Sequence, residues 1–232
     1  MVGIAAANNA QWCDIVCRSH GLATRFERDA WTSATRTPPF YPDAVTLEPD
    51  ARALDLLARI DGSAGCSIKD SFASLDLAPH GFSVLFDAEW VVLPPGADAG
   101  PGGGSGPRWE VVRDGAAFAR WERAWRGAEG PADVLRAAVV DDDSVSVLAA
   151  VDGGDVVGGA VLNRTGDAVG ISNVFAIDGT DASALWVGCV AQARAMHPCA
   201  PLVGYESGAA LAVAVAHGFE RVGPLRVWQR AG

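Results

Sequence analysis

Residues 94–107 of this 232-residue chain read PPGADAGPGGGSGP, a segment that neither a helix nor a strand readily crosses. Proline removes a backbone donor, and glycine makes any one fixed conformation entropically costly. The segment therefore predicts a linker between an N-terminal part, residues 1–93, and a C-terminal part, residues 108–232. Half of the residues are hydrophobic, which suffices for one large core or two smaller ones.

The charge balance narrows the classes of partner. The net charge is -10 at pH 7, and the sequence pI is about 4.7. Nucleic acids and anionic membranes both attract clustered Lys and Arg, so we expect neither as a partner. No apolar run could span a bilayer, residues 1–9 lack the basic start of a signal peptide, and the five cysteines show no disulfide framework. We expect a cytoplasmic protein with a small-molecule ligand, and leave open whether it forms an oligomer.

The C-terminal part alternates strands and helices. Phe118, Trp121 and Trp125 recur at helical spacing, and residues 152–155 (DGGD) are a strong hairpin signal. The predicted elements are, in order, a strand at 109–112, a helix around the three aromatic residues, strands at 145–151, 156–163 and 169–177, a helix at 181–196, a strand at 201–205, a helix at 208–217 and a strand at 221–229. This order predicts the α/β class with a mixed sheet.

Some of this order recurs in residues 1–93, after an N-terminal helical arm. A strand at 43–47, a helix at 50–60, a strand at 66–72 and a strand at 83–92 follow one another. The triplet His-Gly-Phe precedes the last strand here, at 80–82, as it does in the C-terminal part, at 217–219. The matched context favours a structural duplication over a chance triplet. The N-terminal and C-terminal parts would pack edge to edge or face to face.

The C-terminal part resembles the GNAT N-acetyltransferase superfamily. The resemblance rests on the hairpin at 152–155, the strand GISNVFA at 170–176 and the ending AHGFERVGP at 216–224. It implies a GNAT-like acyl-CoA N-acyltransferase fold in residues 108–232. Residues 1–93 would then contain a smaller, truncated and divergent copy of the same fold.

The resemblance also implies a cofactor, because members of this family bind acetyl-CoA where the fourth and fifth strands splay apart. It assigns six residues to acetyl-CoA or another acyl-CoA: Asn173, Val174, Phe175, Ala176, Gly179 and Thr180. The first four would lie along the thioester end, and the last two would lie near the pyrophosphate, at the start of the next helix.

The start of that helix departs from the family pattern, Gln/Arg-x-x-Gly-x-Gly/Ala. Residues 177–185 contain a single glycine and neither Arg nor Gln, and they carry Asp178 and Asp181. Aspartate is an ordinary N-cap residue, so we expect its carboxylate to accept hydrogen bonds from the N–H groups that a phosphate would use. The predicted pyrophosphate loop is therefore degenerate.

Tyr205 and Glu206 stand at the end of the penultimate strand, where α/β sheets place ligands. Glu206 is the candidate general base, a role that requires a pKa raised by burial. Tyr205 is the candidate to orient a ligand or donate a proton. The alternatives are that Glu206 caps or solvates the following helix and that Tyr205 is a packed aromatic residue.

Two N-terminal segments are candidates for the substrate pocket. Lys69 and Asp70 occupy the position in residues 1–93 that Tyr205 and Glu206 occupy later, and Lys69 is the only lysine in the chain. This suggests that an ammonium is specifically required there, although a salt bridge with a nearby acid is the simpler alternative. The segment at 31–42 contributes the candidates Trp31, Arg36 and Tyr41, either as a lip over a pocket or as inter-domain packing.

Cys13, Cys17 and His20 share one face of the predicted N-terminal helix. Zinc would require a fourth ligand, and no Cys or His pair with metal-site spacing occurs elsewhere. We therefore interpret this face as buried packing and expect no metal.

Two functions follow from these patterns. The first is a divergent N-acyltransferase that moves an acyl group from acyl-CoA to an amine. The second is a non-catalytic GNAT-fold protein that binds a small molecule or another protein. The strand order favours the first, and the degenerate loop favours the second.

Overall fold

The computed structural model of the chain describes residues 1–97 and 106–231. Within these ranges, one mixed sheet has the strand order β1-β2-β3-β4-β11-β5-β10-β9-β8-β7-β6. Its strands are β1 (Thr24–Phe26), β2 (Ala30–Ser33), β3 (Ala44–Thr46), β4 (Ser67–Asp70), β5 (Phe82–Leu93), β6 (Arg108–Val111), β7 (Val145–Asp152), β8 (Asp155–Thr165), β9 (Ala168–Ala176), β10 (Leu202–Glu206) and β11 (Glu220–Arg230). The helices are α1 (Val2–Ser19), α2 (Ala53–Leu57), α3 (Gly115–Arg126), α4 (Ala182–Met196) and α5 (Gly208–Ala216).

The N-terminal and C-terminal parts share this sheet, and each gives its last strand to the other. In the C-terminal part β9 and β10 are parallel, and in the N-terminal part β3 and β4 are parallel. The last strand of the N-terminal part, β5, pairs antiparallel with β10, whereas β11 pairs antiparallel with β4. β5 and β11 also pair with each other. The parts thus meet edge to edge, and their last strands interleave.

Most of the predicted elements are present, with small differences in their ends. The predicted helix at 50–60 is reduced to α2, because Arg52 supplies no capping hydrogen bond and Leu54 is exposed. A short helix needs packing to persist, and only Ala51, Leu56 and Ile60 are buried in this span. The predicted linker, 94–107, falls largely outside the described residues.

The hairpin of β1 and β2 was not predicted. Trp31 lies in β2 rather than in a loop, and all four residues of this strand are buried. Burial on both faces leaves no alternation of polar and apolar residues by which a sequence reveals a strand.

Helices cover both faces of the sheet. On one face of β7, four alternate residues pack in an apolar cluster with residues of α1 and α3: Val145, Val147, Ala149 and Val151. Leu148, on the opposite face of β7, belongs to the cluster that contains residues of α4 and α5. The architecture is therefore a three-layer sandwich with the sheet in the middle.

A pair of asparagines fixes α1 on the sheet. The side-chain amide of Asn8 donates to the backbone carbonyl of Asn163 (3.0 Å), and the amide of Asn163 donates to the carbonyl of Asn8 (3.1 Å). Gly170 lies beneath this pair, where a Cβ atom would collide with the Asn8 side chain. The glycine thus allows the close approach of helix and sheet.

Candidate functional site

A cleft opens where β9 and β10 separate. The two strands pair only at Leu202–Val169 and Val203–Gly170. On the other side of β9 the register with β8 shifts at residues 173–174, where Asn173 adopts a φ of 53°. Residues 173 and 174 therefore have no strand partner on either side within the described chain. The resulting cavity has a volume of about 270 Å³.

Helix α1 forms one wall of this cavity. Five of its residues line the space: Ala5, Asn8, Asn9, Trp12 and Cys13. The indole N–H of Trp12 donates to Oδ1 of Asn173 (3.0 Å) and so holds the side chain of the residue with positive φ. None of these five was predicted as a site residue. The two adjacent asparagines, Asn8 and Asn9, within the apolar first half of the helix were the available signal.

Glu206 lies at the end of β10 and lines the cavity. Burial raises the pKa of its carboxyl to about 7. The neighbouring carboxyl across the strand pair, Glu89 of β5, is bound instead by Arg221 (3.1 Å). No residue in the described ranges forms an ion pair with Glu206. A carboxyl with this pKa can accept a proton near neutral pH, as the predicted base requires.

Tyr205 and Lys69 lie against each other. The ammonium nitrogen Nζ of Lys69 is 4.2 Å from the centre of the Tyr205 ring and donates to Oδ1 of Asn9 (2.7 Å). The Tyr205 ring also contacts Trp90 edge to face at 5.6 Å. Lys69 is only 4% exposed. Over the stretches of the chain that are described, it makes no ion pair, so the salt-bridge alternative for this lysine was wrong.

A second cavity, of about 580 Å³, adjoins the first. The two share five lining residues: Phe40, Tyr41, Pro42, Lys69 and Tyr205. The proline-rich segment predicted as a lip therefore lines both spaces. Arg36 lines the second cavity, where its guanidinium donates to Asp43 (2.7 Å) and to the carbonyl of Gly65 (2.7 Å).

Tyr41 is buried, and its hydroxyl lacks a hydrogen-bond partner among the described residues. Trp12 and Asn173 lie beside it without meeting hydrogen-bond geometry. Burial raises the pKa of this hydroxyl, so it remains a protonated donor. A buried donor of this kind calls for an acceptor in the cavities that it lines.

Two predicted pocket residues line neither cavity. Trp31 is fully buried, and its indole N–H donates to Asp14 (3.2 Å). Asp70 is fully buried and accepts the backbone N–H groups of Phe72 (3.3 Å) and Leu75 (2.8 Å). Both side chains hold the local fold of the N-terminal part.

The six residues assigned to acyl-CoA separate into three pairs. Asn173 and Val174 line the first cavity. Phe175 packs edge to face on Trp121 at 5.4 Å, and Ala176 pairs with β8; neither lines the cavity. Gly179 and Thr180 lie in the turn before α4, where Gly179 has a φ of 86°.

Asp181 caps α4, as the sequence predicted. Its carboxylate accepts the backbone N–H groups of Ser183 (2.9 Å) and Ala184 (3.3 Å). These are the donors that a pyrophosphate at this helix would use. The backbone N–H groups at the start of α4 are therefore already bound by an anionic group of the chain itself, the Asp181 carboxylate.

The cysteine face of α1 is packed, as predicted. Cys13 and Cys17 are buried, and desolvation raises the pKa of the Cys13 thiol to about 11. His20 instead contacts the carbonyl of Val134 through Nε2 (3.1 Å). No group of three His, Cys, Asp or Glu side chains in residues 1–97 and 106–231 is placed to hold a metal ion. None of the described helices has the length and apolar character needed to cross a membrane.

Solved structures with the same fold include several acetyltransferases. A GCN5-related N-acetyltransferase from Kribbella flavida is similar with a TM-score of 0.65, 14% identity and coverage of 99% of this chain and 96% of that one. A GCN5-related N-acetyltransferase-like protein from Streptococcus suis 89/1591 is similar with a TM-score of 0.55 and 15% identity, and the match covers 90% of this chain and 82% of that one. A GCN5-related N-acetyltransferase from Sphaerobacter thermophilus is similar with a TM-score of 0.52 and 14% identity, and the match covers 97% of this chain and 89% of that one.

These similarities show that the chain has a GNAT fold. They extend over both the N-terminal and the C-terminal part, whereas the motifs that carried the sequence resemblance lie in residues 108–232. No protein-family model and no curated protein matches the sequence.

Proposed function

We propose that this chain is an N-acyltransferase that uses Glu206 as a general base to transfer an acyl group from acyl-CoA to a small-molecule amine. The observation that carries the proposal is the position of Glu206, whose carboxyl has a pKa of about 7 at the end of an open cleft. The GNAT fold supports this reading of the cleft. We also propose a cytoplasmic location and no nucleic-acid or membrane partner, on the strength of the acidic net charge.

The cleft fits one end of an acyl-CoA better than the other. Residues 173 and 174 have no strand partner, so their backbone groups face the cleft side where they can hold the polar atoms beside a thioester. The start of α4 does not fit the pyrophosphate, because Asp181 already occupies its N–H groups. We infer that the donor is held mainly by the cleft. When bound, it supplies an activated thioester carbonyl for transfer to an amine.

Glu206 acts on the amine acceptor. Its carboxylate accepts the proton that the amine nitrogen loses as the new C–N bond forms and the C–S bond breaks. Burial keeps the carboxyl away from bulk water and raises its pKa to about 7, so Glu206 can both accept and release a proton near neutral pH. Tyr205 orients the acceptor from the adjoining position, and its hydroxyl can return a proton to the departing sulfur.

The test is the release of free CoA thiol from a series of acyl-CoAs mixed with small amines. The wild-type chain should release thiol in an amine-dependent manner, and Glu206→Gln should lose about 100-fold or more in rate. Glu89→Gln is the matched control, since Glu89 faces Glu206 across the strand pair but is bound by Arg221. Absence of amine-dependent release with every acyl-CoA would contradict the proposal.

A non-catalytic small-molecule or protein-binding role is the second candidate. The capping of α4 by Asp181 favours it, because this contact competes with the usual anion site. Under this alternative neither the wild type nor Glu206→Gln would release thiol with any amine, and Glu206→Gln would change at most the affinity of a ligand bound in the cavity that it lines.

We also propose that residues 1–93 contain a divergent copy of the second half of the C-terminal part, separated from it by the 94–107 linker. Both parts contain a pair of parallel strands and then a final strand that pairs with the opposite part. This reciprocal arrangement supports the duplication that the repeated His-Gly-Phe triplet suggests.

A further inference from the structure

The junction of the two cavities contains an unusual cation. Lys69 is 4% exposed, and burying an ammonium without a counter-charge is costly. An ammonium has three N–H donors, of which Asn9 receives one at 2.7 Å. The face of Tyr205, 4.2 Å away, partly compensates the charge. Across the described residues no carboxylate pairs with Lys69, so its remaining donors are available to a ligand.

A second donor lines the same two cavities. The hydroxyl of Tyr41 is buried without a hydrogen-bond partner among the described residues. An ammonium and a phenol that line a shared space form a donor set suited to a carboxylate. Arg36 is excluded from this set, because Asp43 and Gly65 already bind its guanidinium.

The second cavity has an apolar wall next to these donors. Phe40, Leu85 and Phe86 line it, and all three are exposed, with Phe40 at 74%. Large apolar side chains that remain exposed at a cavity mark a surface for apolar ligand groups. A ligand at the junction can therefore reach donors at one end and an apolar wall at the other.

We propose that the acyl acceptor is an α-amino acid with a large apolar side chain, whose carboxylate is bound by Lys69 and Tyr41. This inference rests on the proposed function, since it places the amine of the same molecule at Glu206, which also lines the first cavity. The side chain lies in the second cavity against Phe40, Leu85 and Phe86.

Because Lys69 is the only lysine in the chain, one isotopic label reports on the site. Protein grown with lysine labelled with 13C at Cε alone has a single labelled side-chain signal in an NMR spectrum. We expect 3-phenylpropanoate to shift this signal and 3-phenylpropanamide to leave it in place. We also expect the acid to bind about 10- to 100-fold more tightly than the amide, as measured by titration calorimetry. Equal binding of acid and amide, an unmoved signal or no binding of either would overturn the inference.

Two variants separate the role of Lys69 from a role in folding. Lys69→Met should reduce the ratio of acid to amide affinity to about one, whereas Arg221→Met removes a surface charge and should preserve the ratio. If Lys69→Met does not fold, Tyr41→Phe, which loses only a hydroxyl, should lower the ratio severalfold. A ratio unchanged in the folded variants contradicts the assignment.

Turnover measurements distinguish a failure of this inference from a failure of the proposed acyltransferase function on which it rests. Thiol release should be faster with L-phenylalanine than with L-phenylalaninamide or 2-phenylethylamine. Equal rates with the three amines would overturn the amino-acid inference and leave the acyltransferase in place. Acid-selective binding without turnover of any amine would instead contradict the acyltransferase and retain the carboxylate site.

Discussion

The ammonium of Lys69 lies 4.2 Å from the centre of the Tyr205 ring, and this contact joins the N-terminal and C-terminal parts of the chain at the candidate site. Lys69 belongs to β4 and Tyr205 to β10, which are separated in the sheet by β11 and β5. Asn9 of α1 completes the contact at 2.7 Å. The site is therefore composite, and we expect neither part to bind the ligand alone.

Replacing Glu206 with Gln should remove the base and its pH dependence together. The wild-type kcat/KM should rise with pH through about 7, because only the ionised carboxylate accepts a proton. The residual rate of Glu206→Gln should show no inflection there. A pH–rate profile of both proteins checks this, and an unchanged inflection in the variant would assign the titration to another group.

The same carboxyl should make stability depend on pH. Its folded-state pKa of about 7 lies above the ordinary 4.5, so the folded state binds the proton more tightly than the unfolded state. The resulting stabilisation is present below pH 4.5 and is lost as the pH rises through 7. Relative to Glu206→Gln, the wild type should thus lose on the order of 2 kcal/mol of unfolding free energy between about pH 4.5 and 8. Urea denaturation across this range measures the difference, and parallel curves would contradict the assigned burial.

Gly170→Ala should loosen α1 from the sheet. The new Cβ atom would collide with Asn8, and relieving the collision would break the Asn8–Asn163 pair. We expect a loss of about 2–4 kcal/mol in the free energy of unfolding. Gly3→Ala is the control, since a Cβ at Gly3 meets no atom within 4 Å and alanine favours a helix. Similar urea midpoints for the two variants would contradict this account of the helix contact.

Asp181→Ala should have opposite effects on stability and on affinity for CoA. Loss of the N-cap should cost about 1 kcal/mol of unfolding free energy. Freeing the N–H groups of Ser183 and Ala184 should tighten CoA binding at low ionic strength, because an anion is favoured at a helix start. Asp152→Ala, in the exposed β7–β8 hairpin, controls for the change in net charge. A destabilised Asp181→Ala variant with unchanged affinity would show that the cap is not the obstacle.

Local features of the fold were accessible from sequence. Asp181 was predicted as a cap because capping depends on its own backbone and the next three residues. Tyr205 and Glu206 were predicted at the site because the order of strands places the end of β10 at the cleft. Both inferences need only neighbouring residues or element order.

Contacts between distant segments were not accessible. Trp12 and Asn173 are 161 positions apart, and Asn9 and Lys69 are 60 apart, so no local pattern links them. The uniqueness of Lys69 marked it as a site residue, but a salt bridge was considered because the sequence does not show which polar group α1 would present. The crossing of β5 and β11 likewise depends on pairing between the N-terminal and C-terminal parts.

The central claim, that an acyl-CoA occupies the cleft between β9 and β10, is tested most directly by titrating acetyl-CoA into the wild type and into Gly204→Val. A Cβ atom at Gly204 would lie 3.1 Å from the carbonyl oxygen of Ile171 on the facing strand, so valine should narrow the cleft. We predict saturable heat with the wild type at up to millimolar acetyl-CoA, and none with a folded Gly204→Val. Equal binding by the two proteins, or no binding by the wild type of acetyl-CoA or any longer acyl-CoA, would contradict the account.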